Sequence, residues 1–465
     1  SATTRTVVVV PFDNIGDPAD AYFADGVSEE IAGQLARLPG IAVIGRDGVQ
    51  RFRGSRRSPR EIARDLGAAY VLSGSVNWAR KTAGVDGDTR VRIVPAFVEV
   101  ASGQQKWREP FEERLTDVFK VEASVAERVA SALSVTLGVE TRETLRRADS
   151  NDAEARDAQL LGRYLLRQRG RENLRSAETA FSRAIARDSG YARAWAGLAE
   201  ATALRLAYND TSEAVDVVLA RAQQAAERAV ALDSTLPDVQ LALARTRSTQ
   251  FRFREALQAV DRAVALDPNA TLAHTLRYEI LTALGRHDEA GSAARRAVEL
   301  DPLSALAVNN RAIWFFSAGM LDSAIHYSER AVALAPTEPL WKRSLGVVYA
   351  SAGRLNDGIA MCAASLGPGN QCATMLPAFT GDTANHEAVL ATLGAMRRLP
   401  GTTSVPVFAA LGYARLGMAD SVFSRLRAAV ELHDDSFTHL ITSRTFEPYE
   451  SDPRWDAIVG EVRRR

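Results

Sequence analysis

The chain has 465 residues, of which 46% are hydrophobic and 25% are charged. This composition is ordinary for a folded protein with roughly two to four domains, or with one domain and a repeat array, and it excludes wholesale disorder. The 57 basic and 57 acidic residues balance, so no overall field attracts nucleic acid or an anionic membrane. No run of about 18 apolar residues is present, and the sequence therefore predicts no transmembrane helix.

The first part of the chain, residues 1–140, alternates strand and helix patterns. The β-branched run Thr6–Phe12 predicts a strand that is buried on both faces. Apolar residues then recur with helical spacing over 20–37, and Pro39-Gly40 ends that helix. Further strands are predicted at 41–44, 70–78, 90–100 and 104–111, and further helices at 59–66 and 116–137. This order of elements predicts a small α/β domain.

The second part of the chain carries an internal repeat of 34 residues. The residues that recur at this step are Leu232, Leu266, Leu300 and Leu334, then Pro268, Pro302 and Pro336, and then Gly285, Gly319 and Gly353. A 34-residue period with a proline after the second helix is typical of the tetratricopeptide repeat (TPR), a helix-turn-helix unit. The sequence therefore predicts an all-α TPR solenoid over residues 141–435, with about seven repeats.

The best register places four repeats at 237–270, 271–304, 305–338 and 339–372. An earlier repeat around 182–201 is offset from them, which predicts an insertion of about 11 residues near Tyr208–Ser212. The register fades after Cys372, and a last helix pair is predicted at 404–432. Residues 436–465 are predicted to form a capping helix.

The first third of the chain resembles the TolB-N-terminal-like domain. The motifs that carry the resemblance are Pro11–Asn14, Tyr22–Gly26, Gly67 with Tyr70–Leu72, Gly74–Val76 and Ala101–Trp107. The resemblance implies an α/β fold placed ahead of a TPR array in bacterial signalling proteins, beside a Ser/Thr kinase, an adenylate cyclase or a winged-helix DNA-binding domain. The sequence has no recognisable motif of those three partner domains.

Motifs that support catalysis are missing from the sequence. It has no phosphate-binding G-x-x-x-x-G-K-[ST] or G-x-G-x-x-G loop, no kinase H-R-D or D-F-G, no H-E-x-x-H and no G-x-S-x-G. His433 and His439 are six residues apart, but they are better explained as solvated polar residues than as metal ligands. The sequence therefore predicts a non-enzymatic chain without catalytic residues, cofactor or metal.

A basic loop is a candidate contact for an anionic partner. Its five arginines are Arg51, Arg53, Arg56, Arg57 and Arg60. Arginine side chains bind phosphate or carboxylate groups through paired hydrogen bonds. The alternative interpretation is a solvated surface loop.

The concave face of the TPR array is the main candidate site, because the first helix of each repeat lines it. Counting from the repeat starts, positions 2, 5, 6, 9 and 12 face inward. The partner-binding residues predicted in this way are Arg245, Glu279, Asn309, Asn310, Phe316 and Arg343. Such side chains can hydrogen-bond an extended peptide backbone or a carboxylate. Alternatively, they are solvated or pair with one another.

A simple carboxylate clamp, which the TPR resemblance offers as one mode of binding, does not fit. Leu272 and Thr275 stand where that clamp would have basic residues. Trp195, Trp314 and Trp341 lie in first helices and are predicted to pack between repeats. Cys362 and Cys372 flank Gly367-Pro368-Gly369, which allows either a local disulfide or two unpaired thiols.

The predicted function is a protein-interaction or sensor module of a larger bacterial signalling protein, a Ser/Thr kinase or a transcription regulator. A protein or peptide partner would bind in the concave groove. A homo-oligomer is compatible with the sequence as well. The alternative is a free-standing periplasmic or envelope scaffold. Because the chain starts at Ser1 without a leader, we expect a mature or excised fragment. No nucleic-acid partner is predicted for it, and both an extracytoplasmic and a cytoplasmic location stay open.

Overall fold

The computed structural model describes residues 5–38, 40–44, 49, 52, 57–78, 90–114, 117–146, 149–208, 210, 212–366, 376–379, 405–433 and 437–464. The chain divides into two compact units, Ser1–Leu198 and Ala199–Arg465. In these described ranges, no helix combines the length and the apolar character that a membrane crossing requires.

The first unit contains a mixed seven-stranded sheet. Its strands are β1 (Arg5–Val9), β2 (Asp13–Asn14), β3 (Ile41–Val43), β4 (Tyr70–Trp78), β5 (Arg90–Glu99), β6 (Gln105–Arg108) and β7 (Phe111–Arg114). The order is β3-β1-β4-β5-β6, with β2 beside β4 and β7 beside β5. Strand β1 is parallel to β3 and β4, whereas β5 is antiparallel to β4, β6 and β7. The predicted α/β class of this part is confirmed.

One predicted strand, 104–111, is two strands in the structure. Pro110 lies between β6 and β7 and has no N–H to donate to a ladder. Strand β6 pairs with Ala96–Val98 of β5, and β7 pairs with Arg90–Ile93 of the same strand.

Helices cover both faces of the sheet. They are α1 (Ala21–Ala36), α2 (Pro59–Asp65), α3 (Val118–Ala132) and α4 (Val139–Arg146). Val7 and Val9 of β1 share a core with α1 and α3, whereas Val8 and Val10 share a second core with α2. This alternation explains why the valine run is continuous, since each face of β1 is buried.

The first helix pair, α5 (Ala153–Gln168) and α6 (Arg171–Arg187), belongs to the same compact unit. The Tyr22 hydroxyl of α1 donates to Asp157 of α5 at 2.6 Å. Arg163 and Arg167 of α5 form ion pairs with Glu30 and Glu29 of α1, respectively. Leu160 of α5 joins the core beneath α1. This unit therefore continues beyond residue 140 because α5 docks on α1 through both polar and apolar contacts.

A glycine-to-alanine change is expected to lower the free energy of unfolding at one site in this unit and to raise it at another. The Phe181 ring of α6 lies 2.3 Å from where a Cβ on Gly197 would be, whereas a Cβ on Gly33 of α1 would meet nothing within 4 Å. Gly197→Ala should therefore destabilise by about 1–3 kcal/mol through overpacking. Gly33→Ala should stabilise by about 0.5–1 kcal/mol. Urea unfolding of both variants checks this, and equal effects would contradict it.

Glu122 of α3 is buried, and one of its carboxylate oxygens lies 3.2 Å from the Arg156 guanidinium of α5. Burial raises the pKa of Glu122 from 4.5 to about 7, although Arg156 opposes the shift. The folded protein therefore holds a proton that the unfolded chain releases between pH 4.5 and about 7. Stability should fall as the pH rises through that window.

We expect Glu122→Gln to remove this loss of stability. The difference in unfolding free energy between variant and wild type should move by about 3 kcal/mol in favour of the variant between pH 4.5 and pH 8. Comparing two pH values cancels any pH-independent cost of the substitution. Parallel stability curves for the two proteins would show that Glu122 does not titrate in this range.

The repeat helices continue from the first unit into the second. They are α7 (Ala192–Ala207), α8 (Val215–Leu232), α9 (Pro237–Thr249), α10 (Phe253–Leu266), α11 (Thr271–Ala283), α12 (His287–Leu300), α13 (Ala305–Ser317), α14 (Leu321–Leu334), α15 (Pro339–Ser351), α16 (Leu355–Leu366), α17 (Val405–Arg415) and α18 (Ala419–Glu431). With α5 and α6, the described residues form seven helix pairs. Helices α9, α11, α13 and α15 begin at residues 237, 271, 305 and 339, the first residues of the four in-register repeats.

The turn between the two helices of a repeat needs a residue with positive φ. Gly285, Gly319 and Gly353 supply it, with φ of 75°, 73° and 81°. At the equivalent position 34 residues before Gly285 the chain has Phe251, with φ of 58°. An aromatic residue in this region is strained, which marks the α9–α10 turn as exceptional.

The pair α7 and α8 contains the predicted insertion of about 11 residues. Relative to α9 and α10, the first helix is longer by three residues, the connection by four and the second helix by four. The connection is held by Arg205, whose guanidinium contacts Asp210 at 2.7 Å and Glu213 at 2.8 Å. The insertion is therefore spread over the helix pair, and only part of it lies near Tyr208–Ser212.

Residues 437–464, here named the C-terminal segment, differ from the single capping helix that the sequence predicts. They form α19 (Phe437–Leu440), a 3-10 turn (Arg444–Tyr449), α20 (Pro453–Trp455), a π-helical turn (Asp456–Gly460) and α21 (Glu461–Arg464). Pro448 and Pro453 interrupt a continuous helix, because proline has no N–H and clashes with the preceding turn. The segment folds back on the array, where α19 contacts α11 and α13 and α21 contacts α10.

Candidate functional site on the inner face of the array

The first helices of the repeats form the inner face of the second unit. Helix α11 contacts both α9 and α13, and α13 contacts α15, whereas the second helices of successive repeats approach one another less closely. Such packing places the first helices on the concave side of a solenoid. All six predicted partner-binding residues lie on these first helices.

Three of the six predicted residues pair with one another. The Arg245 guanidinium of α9 contacts the Glu279 carboxylate of α11 at 2.7 Å. The Asn310 side-chain amide of α13 donates to the other Glu279 oxygen at 3.5 Å. Burial tends to raise the pKa of Glu279, but Arg245, the nearby His439 and these hydrogen bonds bring it below the usual value. Glu279 is therefore a buried carboxylate that stays ionised.

The other three predicted residues have different environments. Asn309 is buried, and its Oδ1 has no hydrogen-bond partner among the described residues. Phe316 belongs to the apolar core of the array. Arg343 is partly buried, burial lowers its pKa, and Glu338 is the acidic group that opposes this shift. In the described part of the chain no ion pair of Arg343 occurs, so it can still accept a carboxylate from a partner.

The sequence analysis missed the C-terminal segment as part of this face. The Phe437 ring of α19 lies 5.3 Å from the Phe251 ring, and the His433 ring lies 5.0 Å from Phe251. His433 Nδ1 also lies 2.9 Å from the Thr249 carbonyl oxygen. The signal that could have revealed this contact is Phe251 itself, because an aromatic residue replaces glycine in the 34-residue pattern.

Two of the five loop arginines lie in the described ranges. Arg57 pairs with Asp65 at 2.6 Å. Arg60 donates to the carbonyl oxygens of Val100 and Ala101, at 2.7 Å each. Both guanidinium groups therefore contact the domain itself. Arg51, Arg53 and Arg56 lie outside the described residues, so an anion site in this loop stays a prediction.

The tryptophans of two first helices donate hydrogen bonds from the indole N–H to backbone carbonyl oxygens. Trp314 donates to the His287 carbonyl oxygen of the preceding repeat at 3.1 Å, and Arg311 stacks on its ring. Trp195 donates to the Ser189 carbonyl oxygen at 3.0 Å, and Trp341 is partly buried. Trp314 thus packs between two repeats.

One of the two cysteines lies in the described ranges. Cys362 is disulfide-bonded, and Cys372, the other cysteine of the sequence, lies outside those ranges. Within the same ranges no three metal-ligating side chains come together.

Comparison with known proteins assigns the class of the helical region. Residues 241–305 match the family model of the tetratricopeptide repeat. The match supports a TPR array in the helical region. TPR proteins mediate protein–protein interaction, and the TPR fold is generally non-catalytic.

A relative from Rhizobium meliloti (strain 1021), named "Putative adenylate cyclase 3", is 32% identical over 252 residues, which are 54% of this chain and 41% of the relative. The chain thus spans less than half of that protein. A TPR protein of Thermus thermophilus is 19% identical with a TM-score of 0.36, over 42% of this chain and 98% of that chain. PilF of Pseudomonas aeruginosa is 17% identical with a TM-score of 0.35, over 48% and 99% of the two chains.

Proposed function

We propose that the chain is the non-enzymatic, partner-binding region of a larger bacterial signalling protein, and that its TPR array binds a protein segment on the inner face. The observation that carries this proposal is Arg343, a partly buried cation on a first helix with no ion pair among the described residues. A carboxylate of a bound segment would supply the missing partner.

The signalling role has separate support. The TolB-N-terminal-like resemblance implies a neighbouring kinase, cyclase or DNA-binding domain. The name of the Rhizobium relative favours a cyclase among these three, and 59% of that relative lies outside the match, since the match covers 41% of it. In this proposal the catalytic or DNA-binding step belongs to the neighbouring domain, and this chain contributes recognition.

The alternative function, a periplasmic or envelope scaffold, is favoured by one observation. Cys362 is disulfide-bonded, and structural disulfides persist in oxidising compartments. An extracytoplasmic sensor region of a membrane signalling protein satisfies both this observation and the signalling role. Labelling the thiols of the native protein in intact cells, before and after reduction, distinguishes an oxidising from a reducing location.

The proposal is tested by quantitative capture of partners from lysate and envelope fractions of the source cell. Arg343→Glu should reduce capture of the specific partner at least tenfold, because it places a negative charge where a carboxylate would bind. Arg296→Glu is the matched control, since Arg296 lies on the second helix α12 and is exposed. A partner that is captured equally by all three proteins would place the site away from the inner face.

A further inference from the structure

The C-terminal segment covers part of the inner face with residues of defined chemistry. Phe437 of α19 is fully buried against Phe251 and Phe253, with ring centroids 5.3 and 6.4 Å apart. Ile441 is also fully buried. His439, between them in sequence, lies on α19, which packs against α11, the helix that carries Glu279.

The burial of α11 reflects this cover. Ten of its 13 residues are buried, against six of 13 in α9 and seven of 13 in α13. A first helix of a solenoid normally leaves its inner side to solvent, since its neighbours cover only the other sides. The inner side of α11 is therefore the place where α19 lies.

Both α13 and the C-terminal segment carry buried polar atoms without a hydrogen-bond partner in the described ranges. On α13, the buried atoms Asn309 Oδ1 and Ser317 Oγ have no partner in the described ranges, and the same holds for His439 Nδ1 and Thr442 Oγ1 of the segment. Each buried polar atom without a partner costs about 1–3 kcal/mol. A ligand that donated to Asn309 Oδ1 would gain a hydrogen bond that α19 does not make in the described ranges.

The backbone on both sides of the contact is strained. Phe251 and His433, whose rings touch, have φ of 58° and 51°. Residues with side chains adopt this region at a cost of about 1 kcal/mol or more. The repeat turn requires the positive φ of Phe251, so this residue keeps its backbone conformation whether or not α19 is in place.

We propose that α19 and the residues that follow it, 437–443, are an internal ligand that closes the inner face, and that the partner displaces them with a segment of the same chemistry. This inference rests on the proposed function. The partner segment would carry an aromatic residue that packs against Phe251 and Phe253. Two positions later it would carry a basic residue that faces Glu279, followed by two aliphatic residues. That order is the order of Phe437, His439, Leu440 and Ile441 in this chain.

The test uses a fluorescent peptide with the sequence of residues 433–446 and the full chain. In the wild type, the tethered segment competes with the peptide at an effective concentration of about 1 mM. His439→Glu places a like charge near Glu279 and should release α19, so the peptide should bind this variant at least tenfold more tightly than the wild type. His326→Glu, an exposed histidine on α14, is the matched control and should bind like the wild type.

Two further measurements keep the test decisive. Circular dichroism reports whether His439→Glu folds. Phe437→Leu, which replaces the ring between Phe251 and Phe253 by a smaller aliphatic side chain, is a second opening variant, and the same tenfold gain in peptide affinity is expected for it. A peptide that carries Glu at the position of His439 should lose binding. Equal binding to wild type and opened variants, or no binding to either opened variant up to about 1 mM peptide, overturns the internal-ligand proposal.

Failure of this inference is distinguishable from failure of the proposed function. If the partner is captured equally by wild type and His439→Glu while the peptide does not bind, α19 is not a ligand but the array still binds a partner. If the peptide binds the opened variants while no partner depends on Arg343, the internal contact stands and the proposed partner site fails.

Discussion

Phe446→Ala is expected to destabilise the second unit by about 3–5 kcal/mol, the usual cost of truncating a buried aromatic side chain. Phe446 has no exposed surface and lies in the 3-10 turn of the C-terminal segment, which packs against α17. Its ring centroid is 5.6 Å from that of Trp455, and both residues belong to the core that the segment shares with the array. The truncation would leave a cavity that close packing on several sides cannot fill.

The measurement is urea unfolding followed by circular dichroism. Leu432→Ala is the control, because Leu432 lies near the end of α18 but is 43% exposed, and its truncation should change stability by less than about 0.5 kcal/mol. Similar effects for the two variants would mean that residues 444–464 do not belong to the folded core. This result also separates the segment into two parts: residues 444–464 stabilise the array, whereas 437–443 are the part proposed to open.

Asp210→Ala is expected to destabilise by about 3 kcal/mol, the lower end of the cost of breaking a buried ion pair, because the Arg205 guanidinium keeps only the shared and partly exposed Glu213 as counter-charge. The side chain of Asp210 has no exposed surface, and that of Arg205 is 4% exposed. Their atoms Oδ2 and Nε are 2.7 Å apart. Glu213 also contacts Arg205, but it is shared with Arg221 and cannot replace the lost carboxylate.

The control is Glu289→Ala, which removes an exposed ion pair with Arg286 at the same 2.7 Å and should cost less than about 1 kcal/mol. The double change Arg205→Met with Asp210→Leu should recover most of the stability lost in Asp210→Ala, since an apolar pair avoids the desolvation of two charges. If Asp210→Ala costs no more than Glu289→Ala, the α7–α8 connection does not depend on this pair.

The class of both parts of the chain is readable from residue patterns, because these patterns are local and repeated. The valine run of β1 follows from burial of both faces of the strand, and the helical spacing of α1 follows from burial of one face of the helix. The 34-residue step repeats the same helix pair, so several repeats together define the register even where one repeat departs from the pattern. The starts of α9, α11, α13 and α15 accordingly lie at the predicted repeat starts.

The candidate site was predictable only in part. Register counting placed Arg245 and Glu279 on the inner face, since both occupy position 9 of consecutive repeats. It could not decide between a free surface and mutual pairing, because that choice depends on the distance between two helices. The structure joins these two side chains at 2.7 Å and leaves Arg343 as the predicted groove cation without an ion pair in the described residues.

The packing of the two ends of the repeat region follows from contacts between residues that are far apart in the chain. Helix α5 docks on α1 through Arg163, 133 residues after Glu30 in sequence. His433 meets Thr249 across 184 residues, and Arg463 reaches the Ala283 carbonyl oxygen across 180. No local period encodes such pairings, because they require surfaces that exist only after the repeats have stacked. The periodic array is therefore readable from the sequence, whereas the residues that close its inner face are not.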